Sequence, residues 1–145
     1  MPFTSSAPLR SANVWLMLMV SAVGCGESGP QLAPVSGRVT LDGDPLAVAE
    51  ITFQPDAGAA GSASYGRTDP SGRYELLYSR KKKGALVGPH TVRIRAATEL
   101  TGPGGESIVR AQLVPPHYNA ESELRRDIEP DGENTFNFEL TSEAN

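Results

Sequence analysis

Short runs in which apolar and polar residues alternate, cut repeatedly by Gly, Pro, Asn and Asp, constrain this chain more than any other feature. A period of two sends successive side chains to opposite faces of a strand, whereas a helix would scatter the same residues around its circumference. Val35, Gly37, Val39 and Leu41 fall on one side of the first run, with Ser36, Arg38 and Thr40 on the other. Asp42-Gly43 follows at once, a pair suited to the positive φ angles of a two-residue hairpin turn. Pro45 delays the next strand, after which Ala49, Ile51 and Phe53 alternate inward as far as Pro55. A β-hairpin is therefore expected over residues 35–55.

The pattern continues along the chain. Residues 56–62 read as loop and 63–68 as a strand, closed by Asp69-Pro70-Ser71-Gly72, where Asp69 can accept from the turn's backbone and Gly72 takes the left-handed position. Tyr74 and Leu76 start the next inward face, which predicts a second hairpin. Leu86–Ala96 carries a further strand, with Val92, Ile94 and Ala96 on one face. Residues 97–107 read as loop and Ile108–Val114 as an edge strand ended by Pro115-Pro116. The closing strands fall at 124–129 and 134–140, with Phe136, Phe138 and Leu140 inward. About seven short strands within 145 residues predict one all-β domain over residues 35–141, a single antiparallel β-sandwich, with 142–145 as a tail.

The first 24 residues follow a different pattern. Arg10 is their only charged side chain, and Val14–Val23 is an apolar run broken only by Ser21. Spanning a bilayer takes about 20 apolar residues, so the charged-then-apolar layout is that of a secretory signal. The run ends in Ser21-Ala22-Val23-Gly24-Cys25, which resembles the lipobox of bacterial lipoproteins, with Ala22 where Leu is usual. The resemblance implies cleavage between Gly24 and Cys25, a diacylglyceryl group on the Cys25 sulfur and an acylated new amine. Each buried methylene contributes about 0.8 kcal/mol, so two or more chains hold firmly where one does not. The alternative is an ordinary secretory signal cleaved after Gly24, which leaves a free thiol. Cys25 is the chain's one cysteine, so it cannot form an internal disulfide and the domain must hold by packing. Residues 25–34 have linker composition and read as a tether from lipid to domain. Gly26 in place of Asp fits the sorting pattern of lipoproteins sent to the outer membrane, so a lipid-anchored position in the cell envelope is expected.

Val35-Ser-Gly-Arg-Val39, Asp42-Gly43, Pro45-Leu46, Ile51-Thr-Phe-Gln-Pro55, Thr68-Asp-Pro-Ser-Gly-Arg-Tyr74, Gly84-Ala-Leu-Val-Gly-Pro-His-Thr-Val92, Pro115-Pro-His-Tyr-Asn119 and Asn134-Thr-Phe-Asn-Phe138 stand in order after the lipobox. The set resembles planctomycete-type small lipoproteins with a carboxypeptidase regulatory-like domain, which implies a transthyretin-like (prealbumin-like) sandwich and no assigned activity. The same fold includes a ureide hydrolase family that closes on Tyr-Arg-Gly-Ser. This chain instead ends Leu140-Thr-Ser-Glu-Ala-Asn145.

No residue set points to catalysis, metal or cofactor. His90 and His117 have no metal-ligand spacing, and each reads as an exposed turn or loop residue. No serine sits on a Gly-x-Ser-x-Gly elbow. The acidic turns at Asp42-Gly-Asp44 and Asp131-Gly-Glu-Asn134 lack the full calcium loop, and turn chemistry accounts for them. The formal charge of −4 becomes about −5 once Arg10 is removed, which argues against nucleic acid as a partner. Arg80-Lys81-Lys82-Lys83 is the one basic cluster, read as a solvated loop or a contact for an acidic partner or anionic headgroups. It holds every lysine of the chain, so a buried Lys–Asn crosslink is not expected. Trp15 lies in the signal, and Tyr65 and Tyr74 face inward by alternation. Tyr78 and Tyr118 are left as candidate ligand platforms. The expected function is a non-catalytic structural or interaction module bound to an envelope protein or polysaccharide, with a carbohydrate-binding module as the alternative.

Overall fold

The computed structural model describes Pro2 and residues 29–96, 99–101, 103–109 and 113–143. Gly24, Cys25 and the apolar run lie outside these residues. Among the described residues no helix is long and apolar enough to cross a membrane. In chain order the strands are β1 (Leu32–Ala33), β2 (Val35–Leu41), β3 (Asp44–Pro45), β4 (Glu50–Pro55), β5 (Ser64–Arg67), β6 (Arg73–Glu75), β7 (Leu77–Ser79) and β8 (Lys82–Lys83). They continue with β9 (Ala85–Leu86), β10 (Gly88–Arg95), β11 (Glu99–Thr101), β12 (Ser107–Val109), β13 (Arg125–Ile128), β14 (Asn134–Thr135) and β15 (Phe138–Leu140). The only helical element among the described residues is a 3-10 turn at Pro116–Tyr118.

One sheet has six strands in the order β13-β10-β4-β5-β7-β8, all antiparallel. The other is built on β2, with β3 and β6 antiparallel along one edge and β14 and β15 parallel along the other. The all-β sandwich is as expected, but its closing strands run parallel to β2. Strand content alone does not fix that direction. β11, within the residues 97–107 that read as loop, pairs in a separate two-stranded ribbon with β12, which overlaps the start of the strand expected at Ile108–Val114; residues 110–112 of that strand lie outside the described residues.

Neither expected hairpin closes as drawn. Asp42 and Gly43 do adopt φ of 52° and 90°, the turn this pair favours, but pairing with β2 is short, its last bond running from the Leu46 N–H to the Val39 carbonyl at 3.0 Å. Pro45 has no N–H to donate, and after buried Leu46 the chain crosses to the six-stranded sheet, where β4 begins at Glu50. The second turn behaves likewise: β5 lies in the six-stranded sheet while β6 pairs with β2. After β6 the chain crosses back at fully buried Leu76, whose N–H donates to the Val35 carbonyl at 3.0 Å, and Leu77 rejoins β5. These crossings join the two sheets around one core. Ile51, Phe53, Val92, Ile94 and Ile128 from the first sheet pack against Val35, Val39, Tyr74, Phe138 and Leu140 from the second. Each such side chain stabilises by about 1.5–3 kcal/mol relative to exposure.

The Asp69 turn has the chemistry expected of it. Its Oδ1 accepts from the Ser71 hydroxyl at 2.7 Å and from the Ser71 and Arg73 N–H groups at 2.8 and 3.0 Å, while Gly72 sits at φ 78°. The Ser71 hydroxyl and then the Arg73 N–H hold the carboxyl below its ordinary value of 3.8. A lowered folded value means that the contribution is present at neutral pH and lost as pH falls through the acid range. Urea melts at pH 7 and pH 3 are expected to show Asp69→Asn less stable than wild type at pH 7, with the gap narrowing at pH 3. A gap that does not change with pH would contradict this.

The two asparagines of Asn134-Thr-Phe-Asn-Phe138 substitute for missing backbone pairing. Between β14 and β15 the ladder is interrupted, and the Asn137 Oδ1 accepts the Arg38 N–H at 3.0 Å. Buried Asn134 accepts the Glu129 N–H at 2.9 Å and donates to the Glu129 carbonyl at 2.9 Å, closing the 129–134 turn. Its amide also reaches the Pro34 carbonyl at 3.3 Å, tying that turn to the start of the domain.

Candidate functional site

The domain begins earlier than its composition suggests. Leu32 and Ala33, read as tether, pair with Leu86 and Ala85, and Ala33 is buried. Two apolar residues are too few to show a period, so only their partner strand reveals them.

Tyr78 is half-buried on β7, and its hydroxyl accepts from the Ser62 N–H at 3.4 Å. Tyr118 packs partly against the core from the 3-10 turn, beside β10, with its ring 3.9 Å from that of His117. Strands β4 and β5 lie between β10 and β7, so the structure does not bring the two tyrosines together. His90, read as an exposed turn residue, is 1% exposed on the inward side of β10, against Phe53. Its Nδ1 lies 2.9 Å from the Gly88 carbonyl, and its Nε2 is buried without a partner. Gly88-Pro89 belongs to the strand itself, which places His90 two residues before Val92 on the same face.

In the first acidic turn a carboxylate is occupied by backbone. Asp42 accepts the Ser142 N–H at 2.9 Å, and the Ser142 hydroxyl and N–H lower its pKa. No group of three or more His, Cys, Asp or Glu side chains among the described residues could hold a metal ion.

The feature that sequence reasoning missed is Tyr65. It is 53% exposed, because Ser64 and Gly66 are the inward residues of β5. A Cβ on Gly66 would lie 3.0 Å from Leu76 and 3.3 Å from Tyr74, so the inner face there has room only for small side chains. Tyr65 pairs across the sheet with Leu77, itself 44% exposed, and on its other side with Thr52. Around this pair Val48, Glu50, Gly66, Arg67 and Glu75 line an open depression of about 820 Å³. Glu75 is held by Lys83 at 3.0 Å, whereas Glu50 and Arg67 face each other in register on adjacent strands.

Val48, at the rim, has φ 59°, a conformation a β-branched side chain rarely adopts. Thr68 holds it there: the Val48 N–H donates to the Thr68 carbonyl at 3.2 Å, and the next N–H, of Ala49, donates to the Thr68 Oγ1 at 2.8 Å. Such strain costs about 1–3 kcal/mol, and asparagine tolerates the conformation better. Val48→Asn is expected to raise the urea midpoint by the equivalent of about 1 kcal/mol. A lower midpoint would show that the valine side chain contributes more by packing than its backbone costs.

No protein-family model matches the chain, and no curated protein matches it. Among solved structures it is similar to the crystal structure of a 9R-lipoxygenase from Cyanothece PCC8801, at 19% identity and a TM-score of 0.40. The match covers 79% of this chain and 17% of that one.

Proposed function

We propose that the protein is exported, lipid-anchored through Cys25 at the cell envelope, and acts as a non-catalytic structural or interaction module that presents the outer face of its six-stranded sheet. The observation that carries the interaction reading is the cross-strand pair Tyr65–Leu77, exposed side by side at the centre of an open depression. The anchor reading rests on the Val14–Val23 run and on Cys25. Mass spectrometry of the mature N-terminus and fatty-acid labelling, with Cys25→Ser as control, test it. An unmodified Cys25 refutes the anchor.

A saccharide is the second reading, and the same face favours it. The flat Tyr65 ring can stack on the apolar side of a sugar, while the Glu50 carboxylate and the Arg67 guanidinium beside it can accept from and donate to hydroxyls. Against a panel of envelope and plant polysaccharides, Tyr65→Ala is expected to weaken binding roughly tenfold or more. Binding that survives this substitution, or is lost instead in a Tyr118→Ala variant, moves the site elsewhere. No binding across the panel leaves the protein-interaction reading.

A further inference from the structure

The basic run Arg80-Lys81-Lys82-Lys83, whose backbone supplies strand β8, sits at a defined place. It forms the tip of the β7–β8 hairpin, and all four side chains are exposed. The residue after it, Gly84, lies against the Ala33 backbone, where a Cβ would meet the Ala33 carbonyl oxygen at 2.2 Å. Ala85 and Leu86 then pair with Ala33 and Leu32, and the Val87 N–H donates to the Gln31 carbonyl at 3.0 Å. The basic tip therefore stands beside the point where the N-terminal segment enters the domain. On the other side of that entry, the Asn134 amide holds the 129–134 turn against Pro34, and this turn exposes Glu129, Asp131 and Glu133. Opposite charges flank the entry point.

We propose that the β7–β8 hairpin is a membrane-orienting contact: Arg80, Lys81 and Lys82 engage the phosphates of anionic lipid headgroups, and the acidic turn tilts away from them. Lys83 is left out because it pairs with Glu75. The inference rests on the anchor at Cys25. Five residues lie between Cys25 and Gln31, a reach of at most about 20 Å, so an anchored domain keeps its entry point, beside which the hairpin stands, within roughly two Debye lengths of the headgroups. The acidic domain as a whole would be repelled by an anionic surface, so the attraction must be local, and this hairpin carries the one run of four consecutive basic residues in the sequence. Each basic residue close to such a surface strengthens its contact by about fivefold, and three together by about a hundredfold.

The test couples the chain from Cys25 onward, through its one cysteine, to a maleimide lipid in vesicles of pure phosphatidylcholine or of phosphatidylcholine with 30% phosphatidylglycerol. Hydrogen exchange is then followed along the chain. The tip amides at 79–84 are expected to exchange at least fivefold more slowly on the anionic vesicles, and the difference should vanish in 0.5 M salt and in Arg80→Gln/Lys81→Gln/Lys82→Gln. Equal exchange on both vesicles overturns the proposal, as does protection that persists in the triple variant or falls on 129–134. Because the coupling is chemical, the result does not depend on lipidation in the cell. Failure of fatty-acid labelling and failure of hairpin protection are separate outcomes.

Discussion

Gly37→Ala is expected to cost at least about 3 kcal/mol and to lower the melting temperature by roughly 15 °C. A Cβ at this position would lie 1.8 Å from the Phe136 carbonyl oxygen, 2.6 Å from its carbon and 2.9 Å from the Tyr74 ring. The first two are backbone atoms, so no rotamer change relieves the overlap. The segment between β14 and β15 must move off β2. That movement breaks the bond from the Phe136 N–H to the Ser36 carbonyl at 2.9 Å and the one from the Tyr74 hydroxyl to the Phe136 carbonyl at 2.8 Å. Burial already raises the Tyr74 pKa, so this hydroxyl stays a neutral donor throughout the working pH range, and among the described residues it has no other hydrogen-bond partner. Gly43→Ala is the control, because its Cβ meets nothing and the cost is that of the positive φ alone, about 1–2 kcal/mol. Chemical denaturation of the two variants at equal pH decides the matter. Equal losses would mean that the approach of Phe136 to β2 is looser than the structure shows.

That contact also shows how far the sequence could be read. Placing Gly37 on the inward side of the first run follows from alternation, but nothing in a single chain says that a parallel neighbour lies over it. The turns at Asp42-Gly43 and Asp69–Gly72 were legible because the positive φ that each needs, at Gly43 and at Gly72, is local, and the second is also bonded by its own Asp69. Their consequences were not. A tight turn normally returns a chain to its neighbour, yet here the first returns it only as far as Leu46 before it crosses to the other sheet, and the second is itself the crossing from β5 to β6. The core strands with Ile51, Phe53, Val92 and Ile94 were read correctly, since large aliphatic side chains at period two leave one choice of inward face.

The candidate site was misread for a related reason. On β5 the inward residues are Ser64 and Gly66, small and weakly apolar, while the large residue, Tyr65, points out. Hydrophobicity alone favours the opposite face. The signal that could have corrected it is volume: Tyr74 and Leu76 fill the space over β5, so a third large side chain does not fit. His90 errs in the opposite direction, a polar residue buried because it stands in phase with inward Val92 and Ile94 on β10. Tyr78 and Tyr118 were chosen by elimination, and each turns out to have its own local anchor. The surface that stands out in three dimensions, Tyr65 with Leu77, depends on a cross-strand register that one sequence does not supply.

Phe53→Ala is expected to destabilise by about 4 kcal/mol, and Phe53→Leu by about 1. Phe53 is fully buried at the centre of the sandwich, with ring centroids 6.0 Å from His90 and Phe136 and 6.4 Å from Phe138. Truncation removes both the transfer energy and the contacts of three rings that cannot all collapse into the gap, whereas leucine keeps most of the volume. Urea midpoints should move in that order with an unchanged slope, since neither substitution alters how much surface unfolding exposes. A loss below about 1 kcal/mol for Phe53→Ala would place the centre of the core elsewhere. The same variant separates core from surface. Thr52, the next residue on β4, faces outward in register with Tyr65, so the sheet that buries Phe53 also presents the depression on its other side. Under conditions where more than about nine-tenths of the variant is folded, a ligand of the Tyr65 face should bind with unchanged affinity, while Tyr65→Ala should lose binding and leave stability nearly unchanged. If Phe53→Ala abolishes binding while the chain is still folded, the recognised surface is not the rigid outer face but one that depends on how the two sheets pack.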